Sequence, residues 1–158
     1  MPPTFSPIPG AQGFQQSNPS ILASAALLGS LRIFKSVGMM QPIRERSLVL
    51  TGHLETLLKK SKHFVHPNDA DKHPGLGFTI ITPSDPDARG AQLSVLFMPP
   101  GTGVMKKVLH TLATYGVMGD EREPDLIRLA PAPLYNTLKD CTEAARYFEE
   151  VLDELALN

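Results

Sequence analysis

The chain has 158 residues, of which 42% are hydrophobic and 20% charged, as in an ordinary globular protein that can form a core. Its formal net charge of -1 gives no indication of a nucleic-acid-binding surface. A single cysteine excludes a disulfide bond within these residues and fits a reducing compartment, so we predict a cytoplasmic protein. No apolar run reaches the ~18 residues of a membrane-spanning helix, and no signal peptide is indicated, so we expect no membrane partner.

Two long helices are expected at the front of the chain, over residues 18–62. They follow a segment rich in Pro and Gly, residues 1–17, which predicts an irregular lead-in. Asn18 before Pro19 predicts the start of the first helix, with Asn18 as its N-cap, and Gly38 predicts its end. The second helix is expected to begin at Pro42 and end near Lys62, because apolar positions recur there at steps of three and four. We interpret the pair as connector helices.

Residues 63–158 indicate a small domain of mixed strands and helices. A polar loop, "HFVHPNDADKHPGLG", precedes the predicted strands "GFTIIT" and "AQLSVLF". A helix is expected from about Thr102 to Tyr115, then strands in "GVMGD" and "DLIRLA", and a last helix from near Thr137. This order, α-α-β-β-α-β-β-α, predicts the α/β or α+β class, with a small sheet covered by helices.

Arg128 is the first candidate for a binding residue. It lies within the apolar strand "DLIRLA", although a guanidinium is always ionised and is rarely buried unless it is paired. One partner could be an acidic neighbour in the sequence. The other is the carboxylate of a ligand, which a planar guanidinium binds with two parallel hydrogen bonds. The residues alone leave both alternatives open; the acidic neighbours are Asp120, Glu121, Glu123 and Asp125.

Asn18 is the second candidate. At a helix N-terminus the free backbone amides and the helix dipole favour an anion such as phosphate. A plain N-cap explains the same residue without any ligand, and the residues alone favour that simpler interpretation.

Other patterns predict structure and not a functional site. "PPGTGVMKK" follows a strand, but Val104 and Met105 stand where a phosphate-binding loop needs Lys and then Ser or Thr, so we predict a turn. Cys141 falls at an apolar helical spacing and is expected in the core. The basic cluster of Arg44, Arg46, Lys59, Lys60 and Lys62 predicts a solvated helix face.

The loop after the second helix carries several residue types that bind metals. They share one flexible segment that Pro67 and Pro74 interrupt, and no second pair of ligands closes a tetrahedral site. We therefore predict no metal site for His63, His66, Asp69, Asp71 and His73.

Four segments together resemble the kynureninase family. They are "GFQQSNPSIL", "RERSLVLTGHLE", "ITPSDPDARGAQLSVLF" and "GVMGDEREPDLIRLAPAPLYNT", and they occur in the order found in the family, from about Phe14 to the last helix. One departure is His53, which stands where the family's "TGxLE" segment is expected to have tyrosine.

The resemblance implies a fold, a reaction and two site residues. Kynureninases are homodimeric enzymes that use pyridoxal phosphate to hydrolyse kynurenine or 3-hydroxykynurenine to anthranilate or 3-hydroxyanthranilate and alanine. The implied fold is the C-terminal small domain of the type I pyridoxal-phosphate-dependent transferases. Arg128 is implied to hold the substrate's α-carboxylate, and Asn18 to lie at the cofactor site near the phosphate.

The same resemblance implies that catalytic groups lie elsewhere. In the family the Schiff-base lysine precedes the matched segments, and none of the eight lysines here matches its motif. The chain is therefore expected to be the C-terminal part of a kynureninase, without the lysine-bearing N-terminal domain, and inactive alone because the cofactor's chemistry needs that amine. The alternative is a non-catalytic small α/β binding or regulatory module that keeps the fold.

Overall fold

The computed structural model describes Thr4 and residues 6–157, so residues 1–3 and 5 of the predicted lead-in lie outside the described part. By contacts the chain divides into two units, residues 1–40 and 41–158. The helices are α1 (Ile21–Ser36), α2 (Met40–Leu58), α3 (Val104–Thr114) and α4 (Leu138–Ala156). Short 3-10 helices occur at Ala11–Phe14, Pro67–Lys72 and Pro86–Ala88.

The second unit is built on an antiparallel sheet of four strands among the described residues. They are β1 (Gly77–Ile80), β2 (Leu93–Met98), β3 (Asp120–Arg122) and β4 (Leu126–Leu129), in the spatial order β1-β2-β4-β3. All three neighbouring pairs are antiparallel. The predicted α+β class, with a small sheet covered by helices, is therefore confirmed, and so is the predicted order of helices and strands.

One face of the sheet packs against helices and forms the core. Side chains alternate along a strand, so Leu93, Val95 and Phe97 of β2 are buried while Ser94 and Leu96 point to the opposite face. We call this opposite side the second face of the sheet. Aromatic rings fill the centre of the core: the centroids of Phe78 and Phe148 are 5.0 Å apart in an edge-to-face arrangement. The core residues from α2, α3 and α4 include Leu50, Leu54, Leu58, Met105, Val108, Leu112, Val151 and Leu152.

Helix α2 contributes a buried stripe to this core, as its spacing predicts. Leu50, Leu54 and Leu58 are buried, and burial of each such side chain contributes roughly 1.5–3 kcal/mol. The division by contacts therefore falls between Met40 and Gln41, whereas the sequence places the boundary between connector and small domain at residues 62 and 63. His53 of α2 also contacts α4, with 2.9 Å between its Nε2 and the hydroxyl of Thr142.

Polar side chains of α2, and of Lys59 directly after it, hold the connection between β1 and β2. The Thr51 hydroxyl donates to the carbonyl of Ala91 at 3.0 Å, and an Arg44 guanidinium N–H donates to the carbonyl of Pro86. Lys59 donates to the hydroxyl of Ser84 at 2.9 Å. The basic residues of α2 are thus partly engaged in tertiary contacts, and the predicted solvated face is only partly correct.

Helix α1 belongs to the first unit and begins later than the sequence predicts. Its N-cap is Ser20, whose side chain accepts a hydrogen bond from the backbone of Ala23, and Asn18 and Pro19 precede the helix. The prediction that Asn18 caps this helix is therefore wrong, because Ser20 supplies a capping oxygen closer to the helix. No residue of α1 is buried, and Gly38 has the positive φ of 93° expected at a helix end.

None of the helices in the described part of the chain is by itself long and apolar enough to span a membrane. The helices α1 and α2 counted together have the length and composition of a membrane-spanning segment, on those two criteria alone.

Candidate functional site

Arg128 lies in the middle of β4, between two strands that place polar side chains beside it. The antiparallel register aligns Arg128 with Ser94 of β2 on one side and with Asp120 of β3 on the other. Ile127 and Leu129, its neighbours in β4, point into the core, so the guanidinium lies on the second face. Its side chain is 30% exposed, which leaves it accessible to a ligand from that face.

Asp120 is the internal partner of Arg128. The Arg128 Nη2 donates to Oδ2 of Asp120, across the β3–β4 pair. Two of the other acidic neighbours are engaged differently: Asp125 is buried and accepts from the backbone of Gly101 at 2.9 Å, and Glu123 pairs with Lys106 at 2.6 Å. Of the two alternatives for the partner of Arg128, the structure thus shows an acidic neighbour in the sequence, Asp120. A ligand carboxylate at Arg128 stays a prediction.

A second arginine also binds Asp120 and gives this cluster a positive charge. Arg122 approaches Oδ2 of Asp120 at 2.9 Å and Oδ1 at 3.1 Å. Two guanidinium groups and one carboxylate leave a net charge of +1. The Nε of Arg128 is buried and has no acceptor within the part of the chain that the structure describes. The net positive charge and the partial exposure of Arg128 make the cluster suitable for an additional anion.

Uncharged polar groups from the start of β2 and the adjoining segments surround Ser94. Gln92 donates from Nε2 to the hydroxyl of Ser94 at 3.2 Å, and the backbone N–H of Ser94 donates to the hydroxyl of Thr82 at 2.7 Å. The sequence reasoning missed Gln92, Ser94 and Arg122. The alternation of polar and apolar residues in "AQLSVLF" is the signal that could have placed Ser94 on the face of its strand opposite the core.

The segment after β4 is held in a closed turn. The side-chain oxygen of Asn136 accepts a hydrogen bond from the backbone N–H of Ala132 at 2.8 Å. The backbone N–H of Asn136 donates to the carbonyl of Ala132 at 2.9 Å. Arg46 of α2 donates to the Asn136 carbonyl at 2.9 Å. Thr137 and Asp140 then form a capping box at the start of α4, close to the predicted start. Hydrogen bonds from the backbone and side chain of Thr137 hold the pKa of the Asp140 carboxyl below its ordinary value.

A cleft of about 380 Å³ lies beside the carboxyl end of β4, and Arg128 is not among its lining residues. The lining includes Leu54, Leu129, Pro131 and Cys141. Cys141 is 3% exposed, and burial, followed by the charge of Asp140, raises the pKa of its thiol. This agrees with a core residue, since a nucleophilic cysteine needs a lowered thiol pKa.

The structure pairs His63 of the loop with a carboxylate of α4. Its Nε2 lies 2.6 Å from Oδ1 of Asp153 in α4, and Lys62 approaches the same oxygen at 2.8 Å. The hydrogen bond from Lys62, followed by that from His63, lowers the pKa of Asp153. Among the described residues, one group of three could hold a metal ion by geometry, His63, Glu149 and Asp153. The expected absence of a metal stays a prediction.

Three of the eight lysines are held in ion pairs, which bears on the fit of a pyridoxal phosphate site to these residues. A Schiff-base lysine must lose its proton easily, which ion pairing opposes. Lys59 pairs with Glu55 at 2.6 Å, and hydrogen bonds to Asp153 and Glu123 raise the pKa of Lys62 and Lys106. Asn18, in the other unit, is exposed and is not the helix cap. Its role towards a cofactor stays a prediction.

Comparisons with known proteins agree with the four resembling segments. Residues 43–148 match the family model described as the kynureninase C-terminal domain, which is more than half of the chain. The chain is 47% identical over 157 residues to the kynureninase of Eremothecium gossypii, covering 97% of this chain and 34% of the relative. It is 48% identical over 152 residues to the kynureninase of Yarrowia lipolytica, covering 94% of this chain and 34% of the relative.

A third relative, the kynureninase of Coccidioides immitis, is 51% identical over 144 residues, which cover 91% of this chain and 28% of the relative. The chain thus spans about a third of the length of the curated relatives that it matches. The resemblance seen in the sequence is confirmed by these matches: the chain belongs to the kynureninase family.

Proposed function

We propose that this chain supplies the substrate-carboxylate site of a kynureninase, with Arg128 as the ligand of the substrate's α-carboxylate. The observation that carries the proposal is the position of Arg128 on the second face. It is partly exposed, in a cluster with net positive charge, and its buried Nε has no acceptor among the described residues. A carboxylate there would gain charge-assisted hydrogen bonds of roughly 1.5–3 kcal/mol each.

The complete enzyme would hydrolyse L-kynurenine or 3-hydroxykynurenine to anthranilate or 3-hydroxyanthranilate and L-alanine, in tryptophan catabolism leading to NAD. When bound, pyridoxal phosphate would supply the electron sink for breaking the carbon–carbon bond. The proposal includes a cytoplasmic homodimer, with Asn18 near the cofactor's phosphate. These elements rest on membership of the family.

Within that reaction, Arg128 binds and orients. Fixing the α-carboxylate fixes one end of an amino-acid substrate, and a well-placed anchor reduces the entropy that the reacting geometry would otherwise cost. The core side chains of β4, Ile127 and Leu129, hold the strand that carries Arg128. By itself the chain would be catalytically inactive, because none of its lysines matches the family's Schiff-base lysine motif.

The test is a chimera in which this chain replaces the matching third of the Eremothecium gossypii kynureninase, to which it is 47% identical. The assay measures release of anthranilate from L-kynurenine. We expect the chimera to turn over and the same chimera with Arg128→Ala to lose activity. A folded, cofactor-loaded chimera without turnover, or an Arg128→Ala chimera as active as its parent, would contradict the proposal.

A further inference from the structure

The guanidinium of Arg128 can rotate about several side-chain bonds, so its orientation on the second face needs a cause. Ser94, aligned with Arg128 in β2, accepts a hydrogen bond from Gln92, and no hydrogen bond joins Ser94 to the guanidinium. Asp120 does bind it, through Nη2. Within the described residues, Asp120 is the only side chain that forms a hydrogen bond or ion pair with Arg128.

Asp120 is itself held in place. Arg122 lies two residues along the same strand and binds both carboxylate oxygens, at 2.9 Å and 3.1 Å. Arg122 also donates to the backbone carbonyl of Glu121 at 2.8 Å. The carboxylate is therefore fixed between two guanidinium groups, one from its own strand and one from β4.

The contact leaves Arg128 able to bind a second anion. Asp120 binds Nη2, and the side chain as a whole is 30% exposed, so part of the guanidinium remains accessible from the second face. The charge of Asp120 is more than compensated, since Arg122 and Arg128 both carry a positive charge. An incoming carboxylate thus meets net attraction in addition to an oriented donor.

We propose that Asp120, fixed by Arg122, is a positioning residue that orients the Arg128 guanidinium for a ligand carboxylate. The inference rests on the proposed function of Arg128 and extends it to two further residues. Asp120 acts through Arg128 and makes no contact with substrate. Its hydrogen-bonding oxygen carries the effect, and its negative charge alone does not.

The experiment separates the hydrogen bond from the charge. Asp120→Ala and Asp120→Asn both remove the negative charge, but only Asn keeps an acceptor oxygen at this position. Any difference between the two variants therefore reports the acceptor. Glu121→Gln is the matched control, because it removes the same charge from the neighbouring residue of β3, which is exposed and aligned with Ile127.

The first measurement uses the 158-residue chain, labelled with ¹⁵N, and follows solvent exchange of the Arg128 Nε–H. Because this atom is buried, its proton is expected to exchange slowly. We expect Asp120→Ala to speed exchange at least about tenfold, with Asp120→Asn closer to the wild type and Glu121→Gln unchanged. Arg122→Gln, which loosens Asp120 without touching Arg128, should give a smaller increase.

The second measurement uses the chimera and L-kynurenine. Asp120→Ala should raise KM about tenfold relative to Asp120→Asn, with a much smaller change in kcat, since only binding of the carboxylate is affected. Equal exchange rates and equal KM values in the two variants would overturn the positioning role. If Asp120→Ala fails to fold, Arg122→Gln is compared with the wild type instead. Unchanged exchange of the Arg128 Nε–H and an unchanged KM in Arg122→Gln would then overturn the positioning role.

The two measurements also separate this inference from the proposed function. Exchange at Arg128 needs no ligand, so faster exchange in Asp120→Ala supports positioning even if the chimera shows no turnover. Turnover that depends on Arg128 but not on Asp120 would keep the proposed function and reject the positioning role.

Discussion

Glu55 of α2 and Arg89 of the connection between β1 and β2 form a buried ion pair, with 2.6 Å between Oε2 and Nη2. Their side chains are 9% and 5% exposed, so each depends on the other for compensation of its charge. We predict that Arg89→Ala lowers the free energy of unfolding by about 1.5–3 kcal/mol, because a buried charge-assisted hydrogen bond is lost while Glu55 keeps one cationic partner, Lys59. Urea denaturation at pH 7 measures the loss.

Arg146 provides the matched control for that prediction. It pairs with Glu143 and Glu150 on the surface of α4 and is 46% exposed, so Arg146→Ala should lower the free energy of unfolding much less than Arg89→Ala. Equal losses in the two variants would show that the Glu55–Arg89 pair gains nothing from its burial.

The stability of the chain should fall in acid through Glu55. Burial alone would raise the pKa of this carboxyl, but the hydrogen bond from Lys59 and the charge of Arg89 outweigh it and hold the pKa below its ordinary value. A lowered pKa in the folded state contributes stability above the unfolded value, and this stability is lost as pH falls through the folded value. We expect the free energy of unfolding to decrease between about pH 5 and about pH 3.

Glu55→Gln tests the origin of that pH dependence. The variant will be less stable at neutral pH, but its curve should be flatter than the wild-type curve over the same range. Asp153, whose pKa is lowered by Lys62 and then by His63, will still contribute in the same direction. A slope that is unchanged by Glu55→Gln would assign the acid loss to other carboxyls.

Arg128→Ala should reduce kcat/KM of the chimera for L-kynurenine by at least about a hundredfold, since two charge-assisted hydrogen bonds are lost. Arg128→Lys should recover only part of this loss, because an ammonium cannot bind a carboxylate with two parallel bonds. Arg146→Gln, which removes an equal charge far along α4, should leave kcat/KM unchanged. Near-normal kinetics in Arg128→Ala would exclude a carboxylate role.

The chain alone should form no stable adduct with pyridoxal phosphate. Lys59, Lys62 and Lys106 are held in ion pairs, and hydrogen bonds to Asp153 and Glu123 raise the pKa of Lys62 and Lys106. After incubation and gel filtration, absorbance spectra are expected to show no bound cofactor at a stoichiometric level, and an activity assay no release of anthranilate. A single modified lysine together with turnover would reverse this expectation.

The loop after α2 should bind no structural zinc. His66 accepts a hydrogen bond from the Asn68 backbone at 3.3 Å, and His63 contacts Asp153, which Lys62 already neutralises in part. Elemental analysis of protein purified without an affinity tag is expected to show no stoichiometric metal. Zinc that disappears in His63→Ala would point instead to the group formed with Glu149 and Asp153.

Much of the fold could be predicted because periodicity and burial coincide. The alternation of Leu93, Val95 and Phe97 predicts a strand with one buried face, and these three residues are buried. The start of α1 could not be placed, since both Asn18 and Ser20 are good caps and local sequence does not choose between them. The boundary at residue 62 differs from the contact division because helix periodicity identifies α2 but does not tell which elements its stripe packs against.

The site was predicted only in part, for a related reason. Arg128 stands out as a charge among apolar residues, but its partner depends on which strands pair with β4. Asp120 was one of four acidic neighbours, and the β3–β4 register selects it. Ser94 lies 34 positions earlier in the chain and becomes a neighbour only through the β2–β4 pair, a long-range contact that a single sequence does not contain.

The contacts between α2 and the β1–β2 connection have a practical consequence for protein engineering. Surface loops usually accept inserted peptides, but this one is held by Arg44, Thr51, Glu55 and Lys59 along its length. An epitope tag or a fluorescent label inserted between Ser84 and Ala91 would have to break several of these bonds at once. The 3-10 segment Pro67–Lys72 has mostly exposed residues and is the better insertion point for a reporter.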